Sequence, residues 1–146
     1  MEVVEEQGQT VAQEQGQIKI TVCLSLSGIA EGSQEVYDEF QKQIGEMEAN
    51  ATLGERKCEM GQVGCRGYCS RDVLVDVYVP GEPRVTYEKV KPAMVKNILN
   101  DHIVGGKVFK KAAAKEDYYE TLKKQTRVAL EHSGSIDPEN IDEYIG

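Results

Sequence analysis

The chain has 146 residues, of which 40% are hydrophobic, so it can build the core of one ordinary domain with a short additional segment. Its net charge of −8 argues against non-specific nucleic-acid binding, which needs lysine and arginine to displace counterions from phosphates. No apolar stretch reaches the length of a membrane span, and the acidic start lacks a signal-peptide core. We therefore expect a cytoplasmic protein, in which four cysteines are more often ligands or free thiols than disulfides.

The first half of the chain predicts a leader, a strand, a helix and a second strand. Residues 1–16 repeat Glu and Gln, which indicates a disordered acidic leader. Alternating polar and β-branched residues predict a strand over Gln17–Cys23. Ser33 is a credible N-cap for a helix that runs to about residue 49, with one buried apolar stripe. A weaker strand, interrupted by a glycine, is predicted over Arg56–Val63.

The second half adds a hairpin and another helix. The pattern of residues 73–79 predicts a strand, and Arg84–Lys89 is predicted to be its partner after a turn rich in Pro and Gly. A helix is predicted to start at Pro92 and to stop at the pair of glycines at 105–106. A crossover helix between the first two strands implies a parallel pair, while the hairpin adds antiparallel strands. The order predicts an α+β fold with a mixed sheet of about four strands and two main helices over residues 17–106.

Residues 107–146 differ in character and are predicted to form a linker with an extended or helical tail. The segment 117–132 could be helical. Asp137 is predicted to cap a last helix, with Pro138 at its first position.

Gly64-Cys65-Arg66-Gly67-Tyr68-Cys69 is the segment that suggests chemistry. Two thiolates four positions apart can converge on one metal or cluster, and the glycines allow the close backbone approach of a tight ligand loop. Cys23 ends the first strand, so both cysteine loops leave the same end of the sheet if the strands are parallel. From spacing alone, a disulfide or a pair of free thiols is an equal alternative.

The loop after Cys23 and the segment Val63–Cys69 resemble the thioredoxin-like 2Fe–2S ferredoxin family. The tail, at residues 123–130 and 133–145, resembles the entry to the NADH- and FMN-binding flavoprotein subunit of bacterial complex I, NAD-linked hydrogenases and related reductases. The resemblance implies a thioredoxin-like sandwich that transfers electrons and has other subunits of an NADH-linked complex as partners. It also implies that residues 107–146 lead into a neighbouring domain that binds NADH and FMN beyond Gly146, so this chain alone is not expected to be catalytic.

The resemblance implies a 2Fe–2S cluster with Cys23, Cys65 and Cys69 as thiolate ligands. The family pattern places a second cysteine five positions after the first, where this chain has Gly28. One ligand of the usual four is therefore missing.

The absence of a cysteine at position 28 leaves several interpretations open. An oxygen ligand could come from Ser25 or Ser27, or Cys58 could be recruited, although an extended strand would place Cys58 far from the loop. The cluster could instead be lost, which would leave a docking domain, or the thiols could form a zinc or dithiol site.

The other residues of the cysteine loop also carry predictions. The N–H groups of Gly64 and Gly67 could donate hydrogen bonds to cluster sulfurs. Arg66 could offset the charge of a reduced cluster, although a solvated surface cation is the favoured interpretation. Tyr68 is predicted to be a lid or packing residue.

Overall fold

In the computed structural model, which describes residues 17–145, the chain forms one four-stranded sheet with the order β2-β1-β3-β4. The strands are β1 (Ile18–Cys23), β2 (Cys58–Val63), β3 (Val75–Tyr78) and β4 (Val85–Tyr87). The pair β1–β2 is parallel, whereas β1–β3 and β3–β4 are antiparallel. This arrangement confirms the predicted α+β fold with a mixed sheet. The prediction of a disordered leader at 1–16 lies outside the described residues.

The two main helices that the sequence predicts are present, and a short helix not predicted from the sequence precedes the first of them. They are α1 (Leu26–Ala30), α2 (Ser33–Ala49), α3 (Pro92–Ile98, continued as a π-helix over Leu99–Val104), α4 (Glu116–Lys123) and α5 (Ile141–Ile145). Gly32, with a φ of +92°, occupies the N-cap position of α2 that the sequence assigned to Ser33. Helix α1 was not predicted, because its five residues are too few to show an apolar stripe. The sequence between Cys23 and α2 was therefore predicted to be a loop.

The core lies between the sheet and helices α2 and α3. Both sheet faces of β1 are covered, since Thr21 and Cys23 are buried as well as the residues that alternate with them. The principal side chains of the core are Ile18, Ile20, Val22, Val36, Phe40, Ile44, Val75, Val77, Val95, Ile98 and Leu99. Burial on this scale makes β1 the central strand, which fixes the position of Cys23 at its end.

The tail packs against the sheet, but its helices differ from the prediction. Helix α4 ends at Lys123, and turns follow where the sequence suggested more helix. The Asp137 carboxylate accepts a hydrogen bond from the Glu139 N–H at 2.9 Å, whereas the Asn140 side chain accepts one from the Asp142 N–H at 3.1 Å. The predicted cap at Asp137 is therefore wrong, because that residue forms a turn and α5 begins only at Ile141.

Contacts join the tail to the rest of the chain. The Ala114 N–H donates to the Thr86 carbonyl at 2.8 Å, and the Gly64 N–H donates to the Ile136 carbonyl at 3.4 Å. The assignment of residues 107–146 to the start of a further domain stays a prediction. Within residues 17–145, no helix has the length and apolar character needed to cross a membrane.

Candidate metal centre

The three predicted cysteines lie in two loops that the sheet brings together. Strands β1 and β2 are parallel with Cys23 paired to Val63, so the loops that follow them leave from the same end. The Cys23 Sγ lies 3.7 Å from the carbonyl oxygen of Gly64, and the Ser27 hydroxyl lies 3.5 Å from the carbonyl oxygen of Cys69. The prediction that both loops share one edge of the sheet is confirmed.

The Sγ atoms of Cys65 and Cys69 are 3.6 Å apart, and all four cysteines are free thiols. Two thiolates on one tetrahedral metal, with metal–sulfur bonds of about 2.3 Å, have sulfur atoms roughly 3.7 Å apart. The pair is therefore already spaced as two ligands of one metal atom. Cys23 is buried, whereas Cys69 is exposed, so the centre lies at the boundary between core and solvent.

The glycines of the loop have different roles. Gly67 has a φ of +89°, and its N–H points at the Cys65 Sγ at 3.3 Å, which confirms it as a donor to sulfur. The Gly64 N–H is instead bonded to the Ile136 carbonyl, so the prediction of a second donor there is wrong. The tail accepts the hydrogen bond from that N–H, and no sequence pattern in the cysteine loop predicts this contact.

The thiols of Cys23 and Cys69 have pKa values above that of an ordinary cysteine. Burial raises the pKa of Cys23, although hydrogen bonding to Ser25 opposes this. Hydrogen bonding and charge interaction with Cys65 raise the pKa of Cys69. Because only thiolates ligate, metal binding here would displace protons and would be weakened by acid.

Asp72 is a site residue that the sequence analysis missed. It follows the 3₁₀ turn Cys69–Arg71, its N–H donates to the Cys69 carbonyl at 3.2 Å, and it is only 8% exposed. Neither carboxylate oxygen has a hydrogen-bond partner of ordinary geometry among residues 17–145. Burial raises the pKa of Asp72, while the hydroxyl of Ser27, the thiol of Cys23, the charge of Arg66 and the backbone N–H of Leu74 lower it.

Cys58 lies away from the site, as its strand position predicted. It pairs with Ile18 at the other end of β1, five residues from the level of Cys23. At roughly 3.3 Å per residue, this corresponds to about 16 Å along the strand. Cys58 is half-buried, and burial raises its pKa to about 11.

Arg66 corrects the favoured prediction of a solvated surface cation, because it is buried and ion-paired. Its guanidinium bonds both carboxylate oxygens of the fully buried Asp76, whose Oδ1 also accepts the Thr86 hydroxyl at 2.6 Å. It also donates to the Tyr118 hydroxyl at 3.0 Å and to the Gly134 carbonyl at 3.1 Å. Burial opposes ionisation of Asp76, but Arg66 outweighs it and lowers the pKa of that carboxyl.

Tail residues cover this loop from outside. The Ser133 hydroxyl bonds the Cys65 carbonyl, and the Arg127 guanidinium donates to the Arg66 carbonyl at 2.6 Å. The Tyr68 ring packs edge-on against Tyr118 with centroids 4.8 Å apart, which confirms its packing role. The backbone on both sides of Arg66 is thus fixed by side chains that are distant in sequence.

Gly28, at the position of the missing fourth cysteine, is enclosed by its surroundings. A Cβ added there would lie 2.5 Å from the carbonyl oxygen of Cys23 and 3.2 Å from the Ser33 hydroxyl. Its N–H donates to the Ser25 hydroxyl at 3.1 Å, which caps α1. The site therefore excludes any side chain at this position unless the backbone shifts.

Within residues 17–145, no group of three or more His, Cys, Asp or Glu side chains could hold a single metal ion. The described arrangement therefore gives no support to a mononuclear zinc site. It presents the Cys65–Cys69 pair and, beside it, the buried Cys23.

Comparisons with known proteins agree with this fold. The family model described as "Thioredoxin-like [2Fe-2S] ferredoxin" matches residues 8–102. Among solved structures, the wild-type thioredoxin-like [2Fe-2S] ferredoxin from Aquifex aeolicus is 23% identical with a TM-score of 0.57, covering 68% of this chain and 98% of its own. A serine variant of that ferredoxin is 22% identical with a TM-score of 0.55, covering 68% of this chain and 99% of its own. No curated protein sequence is significantly similar. Since the family model spans well over half of the sequence, the chain belongs to the thioredoxin-like [2Fe-2S] ferredoxin family.

Proposed function

We propose that this chain is an electron-transfer module that holds a [2Fe–2S] cluster through Cys23, Cys65 and Cys69. The observation that carries the proposal is the 3.6 Å separation of the Cys65 and Cys69 Sγ atoms, which suits two thiolates on one iron. When bound, such a cluster supplies one-electron oxidation and reduction.

The residues around the thiols would tune and protect the cluster. The Gly67 N–H donates to the Cys65 Sγ at 3.3 Å, and hydrogen bonds to sulfur are one of the means by which a protein sets a cluster's potential. The buried Arg66–Asp76 pair holds the loop against the sheet without placing a net charge there. Because Cys69 is exposed, this side of the centre is where a redox partner would approach.

We further propose that the module works beside an NADH-oxidising flavoprotein unit of a larger cytoplasmic redox complex. Support comes from the resemblance of residues 123–145 to the entry of that flavoprotein. It also comes from the bonds that Arg127 and Ser133, within this segment, make to the cysteine loop. The test is anaerobic purification from the native host, followed by FMN analysis and addition of NADH. Cluster reduction by NADH in an FMN-containing complex is expected, and a cluster that NADH never reduces in such a complex would contradict this context.

The cluster itself is tested on the full chain purified without oxygen. We expect about two irons and two acid-labile sulfides per chain, visible absorption, and an EPR signal after dithionite. Cys65→Ala, which removes the donor atom altogether, should lose most of this iron, whereas Cys58→Ala, at the far end of β1, should retain it. Folded protein that holds no iron or sulfide after anaerobic reconstitution would exclude the electron-transfer proposal.

A second candidate is a cluster-free docking domain, which is favoured by the enclosure of Gly28. In that case the Cys65→Ala variant and the wild-type chain would contain equally little iron and sulfide, and both would still associate with the flavoprotein partner. Iron and sulfide that depend on Cys65 would exclude this candidate.

A further inference from the structure

The missing ligand can be sought among the oxygen and sulfur atoms near the cysteine loops. Cys58 is about 16 Å away along β1, since its pairing partner is Ile18 and not Cys23. Ser25 is engaged as the cap of α1, where its hydroxyl accepts the Gly28 N–H at 3.1 Å. The Ser27 hydroxyl is directed at the Cys69 carbonyl oxygen at 3.5 Å. None of the three candidates that the sequence offered is both near and uncommitted.

Asp72 is near, and no salt bridge to it is present among residues 17–145. Its carboxylate is over nine-tenths buried, and both oxygens lack a hydrogen-bond partner of ordinary geometry among the described residues. A buried carboxylate without hydrogen bonds is strongly unfavourable unless a cation compensates it. Arg66, the buried cation nearest in sequence, already bonds both oxygens of Asp76. The structure thus contains a negative group whose compensating positive charge is not supplied by a salt bridge.

The position of Asp72 also suits a ligand. Its backbone N–H donates to the Cys69 carbonyl at 3.2 Å, which anchors it to the loop that carries the Cys65–Cys69 pair. Its carboxylate interacts with the Cys23 thiol, and its charge raises the pKa of both Cys23 and Cys69. The carboxylate is therefore close enough to act on both cysteine loops. A dinuclear cluster needs two pairs of ligands, and Cys65 and Cys69 already form one pair at 3.6 Å.

We propose that Asp72 is the fourth ligand of the [2Fe–2S] cluster, so that Cys65 and Cys69 bind one iron while Cys23 and the Asp72 carboxylate bind the other. This inference rests on the proposed cluster-binding function. The site is a three-thiolate, one-carboxylate site in which Asp72 takes the role that Gly28 cannot fill. Carboxylate is a harder ligand than thiolate, so the iron held by Cys23 and Asp72 has a harder set of ligands than the iron held by Cys65 and Cys69.

The direct test is iron X-ray absorption on the anaerobically purified full chain. The wild-type protein should show one oxygen scatterer per two irons at roughly 2 Å, the usual length of a carboxylate–metal bond. Asp72→Cys should retain iron and sulfide, lose that oxygen scatterer, and change the EPR spectrum of the reduced cluster. Asp72→Ala should lose iron to a chelator at least about tenfold faster than wild type, since even outer-shell changes weaken metal sites by that factor.

Matched variants separate Asp72 from its competitors. Ser27→Ala and Cys58→Ala should retain both the iron and the oxygen scatterer. Without iron, Asp72→Asn should unfold at a higher temperature than wild type, because it removes a buried carboxylate that no salt bridge neutralises; this readout does not need the cluster.

The outcomes distinguish the two proposals. If the wild-type chain binds a cluster with only sulfur ligands, or if Asp72→Ala retains the oxygen scatterer and resists the chelator as wild type does, the Asp72 assignment is wrong while the electron-transfer function stands. Loss of the oxygen scatterer in Ser27→Ala would show that Ser27, and not Asp72, is the fourth ligand. If the wild-type chain binds no iron or sulfide, both proposals fail.

Discussion

Arg66 and Asp76 form a buried ion pair between the cysteine loop and strand β3, with the guanidinium bonded to both carboxylate oxygens. Removing one member of a buried pair leaves an uncompensated charge, which costs about 3–5 kcal/mol. We therefore expect Asp76→Asn to lower the free energy of unfolding by about that amount, measured with urea. The matched control is Asp117→Asn, which breaks an exposed pair with Arg71 and should change stability far less.

A double-mutant cycle completes this test. The variant Arg66→Met combined with Asp76→Asn removes both charges, so it should be more stable than the sum of the two single changes predicts. Strict additivity would show that the two side chains contribute independently and would contradict the ion pair.

The sequence predicted those parts of the fold that short-range patterns determine. Alternation along Ile18–Cys23 and the apolar stripe of α2 identify a strand and a helix without tertiary information. The site was only partly predictable, because Arg66 and Asp76 look like ordinary polar residues until the sheet and the tail enclose them. Asp72 was missed for the same reason, since nothing in its neighbours indicates that a carboxylate after Cys69 is buried.

Substitution of Gly28 should show why the family cysteine is not simply restored here. In Gly28→Cys the new Cβ would lie 2.5 Å from the Cys23 carbonyl oxygen, so the backbone at the end of β1 must shift. We expect Gly28→Cys and Gly28→Ala to lower the melting temperature by similar amounts, because the clash is with Cβ and not with sulfur. Gly28→Cys should also fail to increase iron retention, measured by chelator challenge.

Gly45 provides the control for this change. It lies on the exposed side of α2, and an added Cβ there meets no atom of the described chain within 4 Å. Gly45→Ala should raise the free energy of unfolding by about 0.5–1 kcal/mol, since alanine is the better helix former. A Gly28→Cys protein that is as stable as wild type and binds more iron would contradict the enclosed geometry.

His102 should make stability depend on pH. The ring is buried, its Nδ1 lies 2.9 Å from the Tyr87 hydroxyl, and burial lowers its pKa although Glu82 opposes this. Because the unfolded chain has a histidine pKa of about 6.5, it binds a proton below that pH while the folded protein does not. The stabilising contribution is thus present above pH 6.5 and is lost as the pH falls toward the lower folded pKa.

The measurement is the free energy of unfolding between pH 7.5 and 5.5, a range set by the direction of the His102 shift and the reference pKa of about 6.5. His102→Gln should reduce the loss of stability across this range, whatever its effect at neutral pH. The exposed His132→Gln is the control and should retain the wild-type slope. An unchanged slope in His102→Gln would show that other groups cause the pH dependence.

Arg127 should determine how firmly the tail covers the cysteine loop. Its guanidinium donates to the carbonyl of Arg66 at 2.6 Å and to that of Ser133 at 3.1 Å, so it ties the loop to the residue that bonds the Cys65 carbonyl. In Arg127→Ala, the Arg66 carbonyl loses a charge-assisted hydrogen bond, and such a bond contributes roughly 1.5–3 kcal/mol where it is partly buried. We expect faster amide hydrogen exchange across residues 64–68, with little change in the core strand β1. The exposed Lys124→Ala, three residues earlier in the chain, should leave exchange in the loop unchanged. If both variants exchange alike at residues 64–68, the hydrogen bonds of Arg127 do not hold the loop, and its order depends on the other contacts, among them the buried Arg66–Asp76 pair.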